Sequence, residues 1–133
     1  MHTGIMRLLR GLAAAAALAA LAIGTAAAIG KVADNWRLQV SGGSWNGGTI
    51  VMQFVENGSD VIEVTITIPK FTGENKIARL IRDQLKKGLP KDRFKVEVDD
   101  AEDVLVKARG GTRPYEIRIV SNTAHTRINP DHE

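Results

Sequence analysis

The chain contains no cysteine. That excludes disulfides, thiol nucleophiles, thiolate metal sites and a lipoprotein anchor built on cysteine, so the fold must be held by its core alone. Histidine is scarce as well, with only His2, His125 and His132 available as imidazole bases. Charge of one sign is missing too, although the sequence pI of about 9.4 suggests otherwise. Of the 18 basic residues, Arg7 and Arg10 lie near the N-terminus, which leaves 16 against 15 acidic ones from Ile29 onward, a net of +1. Such a balance gives no electrostatic case for binding nucleic acid.

Residues 1–28 read as a secretory signal peptide. Arg7 and Arg10 form a positive n-region, Leu12 to Ile23 an apolar h-region, and Ala26-Ala27-Ala28 a small-residue cleavage site, which makes Ile29 the first mature residue. Met6 is an alternative start. A competing reading is an uncleaved membrane anchor over residues 11–30, long enough to cross a bilayer but built largely of alanine, which inserts less favourably than leucine or isoleucine. The alanine-rich leader suggests a bacterial envelope protein, periplasmic or secreted, or tethered to the inner membrane if the leader stays. Export with cleavage leaves 105 of the 133 residues, enough for one domain over 29–121 followed by a flexible tail over 122–133.

Within that domain the period of the apolar residues changes twice. Trp36, Leu38 and Val40 alternate with Arg37 and Gln39, as a half-buried strand requires. Ser41 to Gly48 is a flexible glycine-rich connection. Ile50 to Val55 is apolar on both faces except at Gln53. Asn57-Gly58 suits a type I′ hairpin turn, and Ile62, Val64, Ile66 and Ile68 then alternate with Glu63, Thr65 and Thr67. From Thr72 to Pro90 the spacing becomes helical: Ile77, Leu80, Ile81 and Leu85 fall on one side of a helix. Thr72 or Asn75 can cap its start, Lys86 and Lys87 suit its last turn, Gly88 a left-handed end and Pro90 its termination. Period two returns at Phe94, Val96 and Val98, at Val104 and Val106, and at Tyr115, Ile117 and Ile119.

The element order is therefore β-β-β-α-β-β-β. It predicts an α+β two-layer sandwich in which one amphipathic helix covers an antiparallel meander sheet. The threonine-rich face of the third strand could pair with a second copy, but nothing in the sequence fixes an oligomeric state.

Chemistry is harder to find than architecture. Hydrolytic triads need a nucleophile, a base and an orienting group. His125 and His132 lie in the expected tail, and no serine sits in a nucleophile elbow, so no catalytic residue is assigned and enzyme function is not expected. Asp99, Asp100, Glu102 and Asp103 could hold a hard cation, but they lack the glycine and ligand spacing of a Ca²⁺ loop and read as a solvated hairpin turn. His125, Asp131 and His132 are too poorly positioned for a transition metal. No metal or cofactor is assigned.

What remains is a candidate interaction surface. Lys70 to Lys95 holds nine basic residues against three acidic ones, whereas Glu97 to Asp103 holds five acids and no base. On the helix, Lys76, Arg79, Arg82, Lys86 and Lys87 face away from the apolar stripe. They form either a solvated outer face, helped by an Arg79–Asp83 pair, or a docking site for an acidic envelope protein or an anionic membrane surface. Trp45, isolated among glycines, either marks a contact surface or folds back to plug the core. A small exported binding module is the leading expectation, and a carrier of an apolar or lipid-like ligand the alternative.

Overall fold

The computed structural model describes residues 32–56 and 61–133. The signal or anchor reading over 1–30 and the Asn57-Gly58 turn lie outside the described residues. Among the described residues, seven strands and one helix follow in order: β1 (Asn35–Ser41), β2 (Gly48–Glu56), β3 (Val61–Ile68), α1 (Glu74–Gly88), β4 (Phe94–Asp99), β5 (Asp103–Ala108), β6 (Tyr115–Asn122) and β7 (Arg127–His132). All strand pairing is antiparallel.

The strands form two sheets, not the single meander expected from the short connections. One has the order β4-β5-β1-β7, the other β3-β2-β6. The chain crosses between them four times, after β1, β3, β5 and β6, so neighbours in sequence are not always neighbours in a sheet. Strand alternation fixes which side chains face inward. It does not fix which strand supplies the next ladder, and that choice here rests on long-range pairs such as Trp36↔Val106 and Phe54↔Ile117. Val120 is left unpaired by a register shift between Val51 and Met52, a bulge in β6.

The helix packs mainly on β3 and β4, one edge strand from each sheet, and so bridges the two sheets. Ile77, Ala78, Ile81 and Leu85 are buried there, as their spacing requires. They meet Leu38 and Val40 of β1, Ile50, Met52 and Phe54 of β2, Ile66 and Ile68 of β3, and Val104 and Val106 of β5 in one core. Each fully buried aliphatic side chain contributes about 1.5–3 kcal/mol. Phe54, Phe94 and Tyr115 form an aromatic cluster with centroids 5.1–6.3 Å apart.

Both helix ends differ from the sequence expectation. The N-cap is Gly73, with no side-chain cap. The Thr72 hydroxyl instead donates to the Pro69 carbonyl at 2.6 Å, and the Glu74 carboxylate accepts from the Gly42 N–H at 2.8 Å. Gly88 remains helical, and Leu89 leaves in an extended conformation ahead of Pro90. Asp83 accepts from Arg82 at 2.8 Å, so the helix pair lies one residue apart and not at the Arg79 spacing.

The segment 122–133 is not a loose tail. Its last residues form β7, paired with β1 from Trp36↔His132 to Ser41↔Arg127, and the folded unit therefore extends past residue 121 to the last residue. Arg37 fixes that end. Its guanidinium donates to Glu133 at 2.9 and 3.0 Å, to Asp103 at 2.6 Å and to Asp99 at 3.1 Å. Two carboxylates of the acidic run are therefore occupied by one arginine fork, an arrangement that suits a bidentate cation better than a metal ion.

Candidate interaction surface

Three chain segments converge at the N-terminal end of α1. Ser44 exchanges backbone hydrogen bonds with Thr72 at 2.7 and 2.9 Å, and the Phe71 N–H donates to the Trp45 carbonyl at 3.2 Å. The buried Ser44 hydroxyl donates to the Ala124 carbonyl at 2.7 Å and accepts from the Gly47 N–H at 3.0 Å. The Thr126 hydroxyl closes the set on the Gly42 carbonyl at 2.7 Å. The SGGSWNGG segment is thus a docked loop, not a flexible connection. Glycine is needed where the backbones touch: a Cβ on Gly43 would lie 2.6 Å from the Thr72 carbonyl oxygen.

This platform holds two aromatic rings in solvent. Trp45 is 77% exposed and Phe71 75% exposed. Their rings meet edge to face at 5.9 Å between centroids, and with Gly43, Ser44, Thr72 and Gly73 they line a shallow cavity of about 330 Å³. Phe71 adopts φ 55°, a left-handed conformation unusual for a bulky residue. Trp45 therefore does not fold back to plug the core. Phe71 was not singled out from the sequence, although a signal existed. It is an apolar residue after Pro69 that belongs neither to the strand alternation nor to the helical stripe.

Lys76, Arg79, Lys86 and Lys87 are exposed along the helix, with Arg82 half-buried beside Asp83. The Arg82 hydrogen bond, with further help from Lys86 and Lys87, holds the Asp83 carboxyl below the usual carboxylate range. The basic residues do not act as one patch. Lys86 and Lys87 also rim a cleft of about 920 Å³ between the C-terminal half of α1 and β4. Lys91, Lys95 and Arg109 complete that rim, and sequence order hides this because they come from three separate segments. Glu97, also on the rim, is held below its ordinary pKa chiefly by a hydrogen bond from Lys107, with Lys95 assisting.

Trp45 lies with Phe71 at the opposite end of α1 from this cleft. A helix of 15 residues separates the two by roughly 20 Å.

The imidazoles are not brought together. His125 is exposed in the β6–β7 turn, its backbone N–H donating to Asn122 at 3.1 Å. His132 packs edge to face on Trp36 at 4.7 Å. Among the described residues, no group of three or more His, Asp or Glu side chains is arranged to hold a metal ion, and no helix is long and apolar enough to cross a membrane.

No protein-family model, curated protein or solved structure matches the chain.

Proposed function

We propose that the protein is a small exported, non-catalytic domain that works by docking on another component of the bacterial envelope. The observation that carries this reading is the Trp45–Phe71 pair. Two large apolar rings are held in solvent by a dense hydrogen-bonded platform and a left-handed backbone at Phe71. Holding them there costs both hydration and conformational free energy, and rigid aromatic anchors are the residues that dominate binding interfaces. The exposed cations that begin at Lys70 and Lys76 favour an acidic partner, which would be either an envelope protein or an anionic membrane surface.

A carrier of an apolar ligand is less well supported. Ile77, Ile81 and Leu85 are fully buried in the common core, and the cleft between α1 and β4 is rimmed by five cations.

The test is crosslinking in native cells, comparing wild type with Trp45→Ala/Phe71→Ala and with Arg79→Glu/Lys76→Glu. Sedimentation with phosphatidylglycerol vesicles is run in parallel. Loss of a specific crosslink in the aromatic variant identifies a protein partner, and loss of vesicle binding in the same variant identifies a membrane surface. Unchanged behaviour in both assays would overturn the reading.

A further inference from the structure

Two antiparallel sheets have four outer edges, and an unpaired edge is a template for another strand. Each of the four carries a device that occupies some of its outward-facing backbone groups. On β3, the Gln84 side-chain amide binds both backbone groups of Thr67, accepting from its N–H at 2.8 Å and donating to its carbonyl at 2.9 Å. On β6, Tyr115 exchanges two backbone hydrogen bonds with Ala33, at 2.9 and 3.0 Å. On β7, Pro130 has no N–H to offer, and the outward N–H of His132 is taken by Asp131 at 2.9 Å.

On the fourth edge, β4, the device sits at the first residue, and the strand beyond it borders a cleft. The Arg109 N–H donates to the Arg93 carbonyl at 2.9 Å, which fixes the phase of the β4–β5 ladder. Alternation then turns the backbone groups of Lys95, Glu97 and Asp99 toward β5 and those of Phe94, Val96 and Val98 outward. Both outward backbone groups of Phe94 are engaged, its N–H donating to the Pro90 carbonyl at 3.0 Å and its carbonyl accepting from Arg109 Nε at 3.4 Å. Val96 and Val98 have no such cap among the described residues. At Val96 the edge opens into the cleft of about 920 Å³ beside the helix.

We propose that the β4 edge is a second binding site, taking an extended acidic peptide segment that adds as a strand beside Val96 and Val98. Charge selects the occupant. Five cations rim the cleft, and its two carboxylates, Asp83 and Glu97, are already engaged by Arg82 and by Lys95 and Lys107. Lys86 and Lys87 also suit the helix C-terminus, but Lys91, Lys95 and Arg109 do not belong to the helix and that account does not reach them. A second copy of the chain would meet the rim with an equally basic rim. An acidic strand gains both the free backbone groups and the charge. This site lies at the other end of α1 from Trp45 and Phe71 and stands or falls independently of that pair.

The probe is a short peptide alternating glutamate and valine, titrated into the ¹⁵N-labelled full chain and followed by amide chemical shifts. Controls are its lysine–valine counterpart and a version N-methylated along one edge. The acidic peptide is expected to shift the Val96 and Val98 amides, whereas neither control binds. Val96→Pro removes an outward N–H without breaking the β4–β5 ladder, as edge strands tolerate, and should weaken binding by about tenfold or more. Lys91→Glu/Lys95→Glu leaves the backbone intact and should weaken it likewise, so the test survives if the proline variant unfolds. Equal affinity for the N-methylated peptide would overturn the proposal, since attraction would then be purely electrostatic. So would shifts confined to Trp45 and Phe71, or self-association through Val96 in the absence of peptide.

Discussion

Tyr115 is the only tyrosine, and its surroundings can be read through that single phenol. It is fully buried, with its hydroxyl donating to the Val106 carbonyl at 2.8 Å. Burial, assisted by the Asp34 carboxylate, pushes its pKa far above the ordinary value of 10.0. A raised acid pKa means that the native state holds the proton more tightly than the unfolded chain does. This contribution to stability is intact below about pH 10 and declines as the pH rises above it. Phenolate absorbance is therefore expected only as the protein unfolds, and a reversible titration near pH 10 with unchanged circular dichroism would contradict the packing. Tyr115→Phe removes one buried hydrogen bond and should lower stability by about 1 kcal/mol in denaturant titration. The sequence showed Tyr115 alternating with Ile117 and Ile119, so its burial was legible. Its partner across the core was not, because Val106 belongs to a different sheet.

At the scale of the element, α1 was legible from spacing alone. Ile77, Ile81 and Leu85 recur at the helical period and all are buried. Gly88 was misread, and the reason is physical. Spacing shows where a helix ends, but not what presses against its last turn. Gly88 is helical, and a Cβ there would lie 2.8 and 2.9 Å from the two γ-methyls of Val64 on β3. A β-branched side chain has little rotamer freedom with which to yield. Gly88→Ala should therefore cost about 1–2 kcal/mol, overpacking of about 1–3 kcal/mol outweighing the helix propensity of about 1 kcal/mol that alanine adds. In a Val64→Ala background the sign should reverse, because only the propensity gain remains. Denaturant midpoints of the four proteins in the cycle measure the coupling directly. If Gly88→Ala stabilises the unmodified chain, helix and strand are not in tight contact at this point. The same logic explains Gln84: a polar helix residue reads as solvated face, and only the tertiary arrangement reveals it as the cap on Thr67.

At the scale of the whole molecule, the four-stranded sheet is completed by β7, the element least visible in sequence. RINPDH has no apolar alternation, and its residues are exposed or half-buried. What holds it is backbone pairing to β1, the His132–Trp36 ring contact and the Arg37 fork. None of these leaves a periodic trace. The last of them makes a pH prediction. The hydrogen bond from Arg37 holds the Glu133 carboxyl below its ordinary value of 4.5. A lowered carboxyl pKa contributes stability that is fully present above the unfolded value and is lost as the pH falls through the folded one. Amides of β7 should therefore lose hydrogen-exchange protection on acidification from about pH 4.5 downward, before β2 and β3 do, and high salt should lessen the difference by screening an exposed pair. Glu133→Gln should show reduced protection of β7 already at neutral pH, with a weaker acid dependence. Protection of β7 that tracks β2 throughout the titration, and is the same in the glutamine variant, would mean that backbone pairing alone secures the strand. Arg37 would then contribute nothing measurable to closing the sheet.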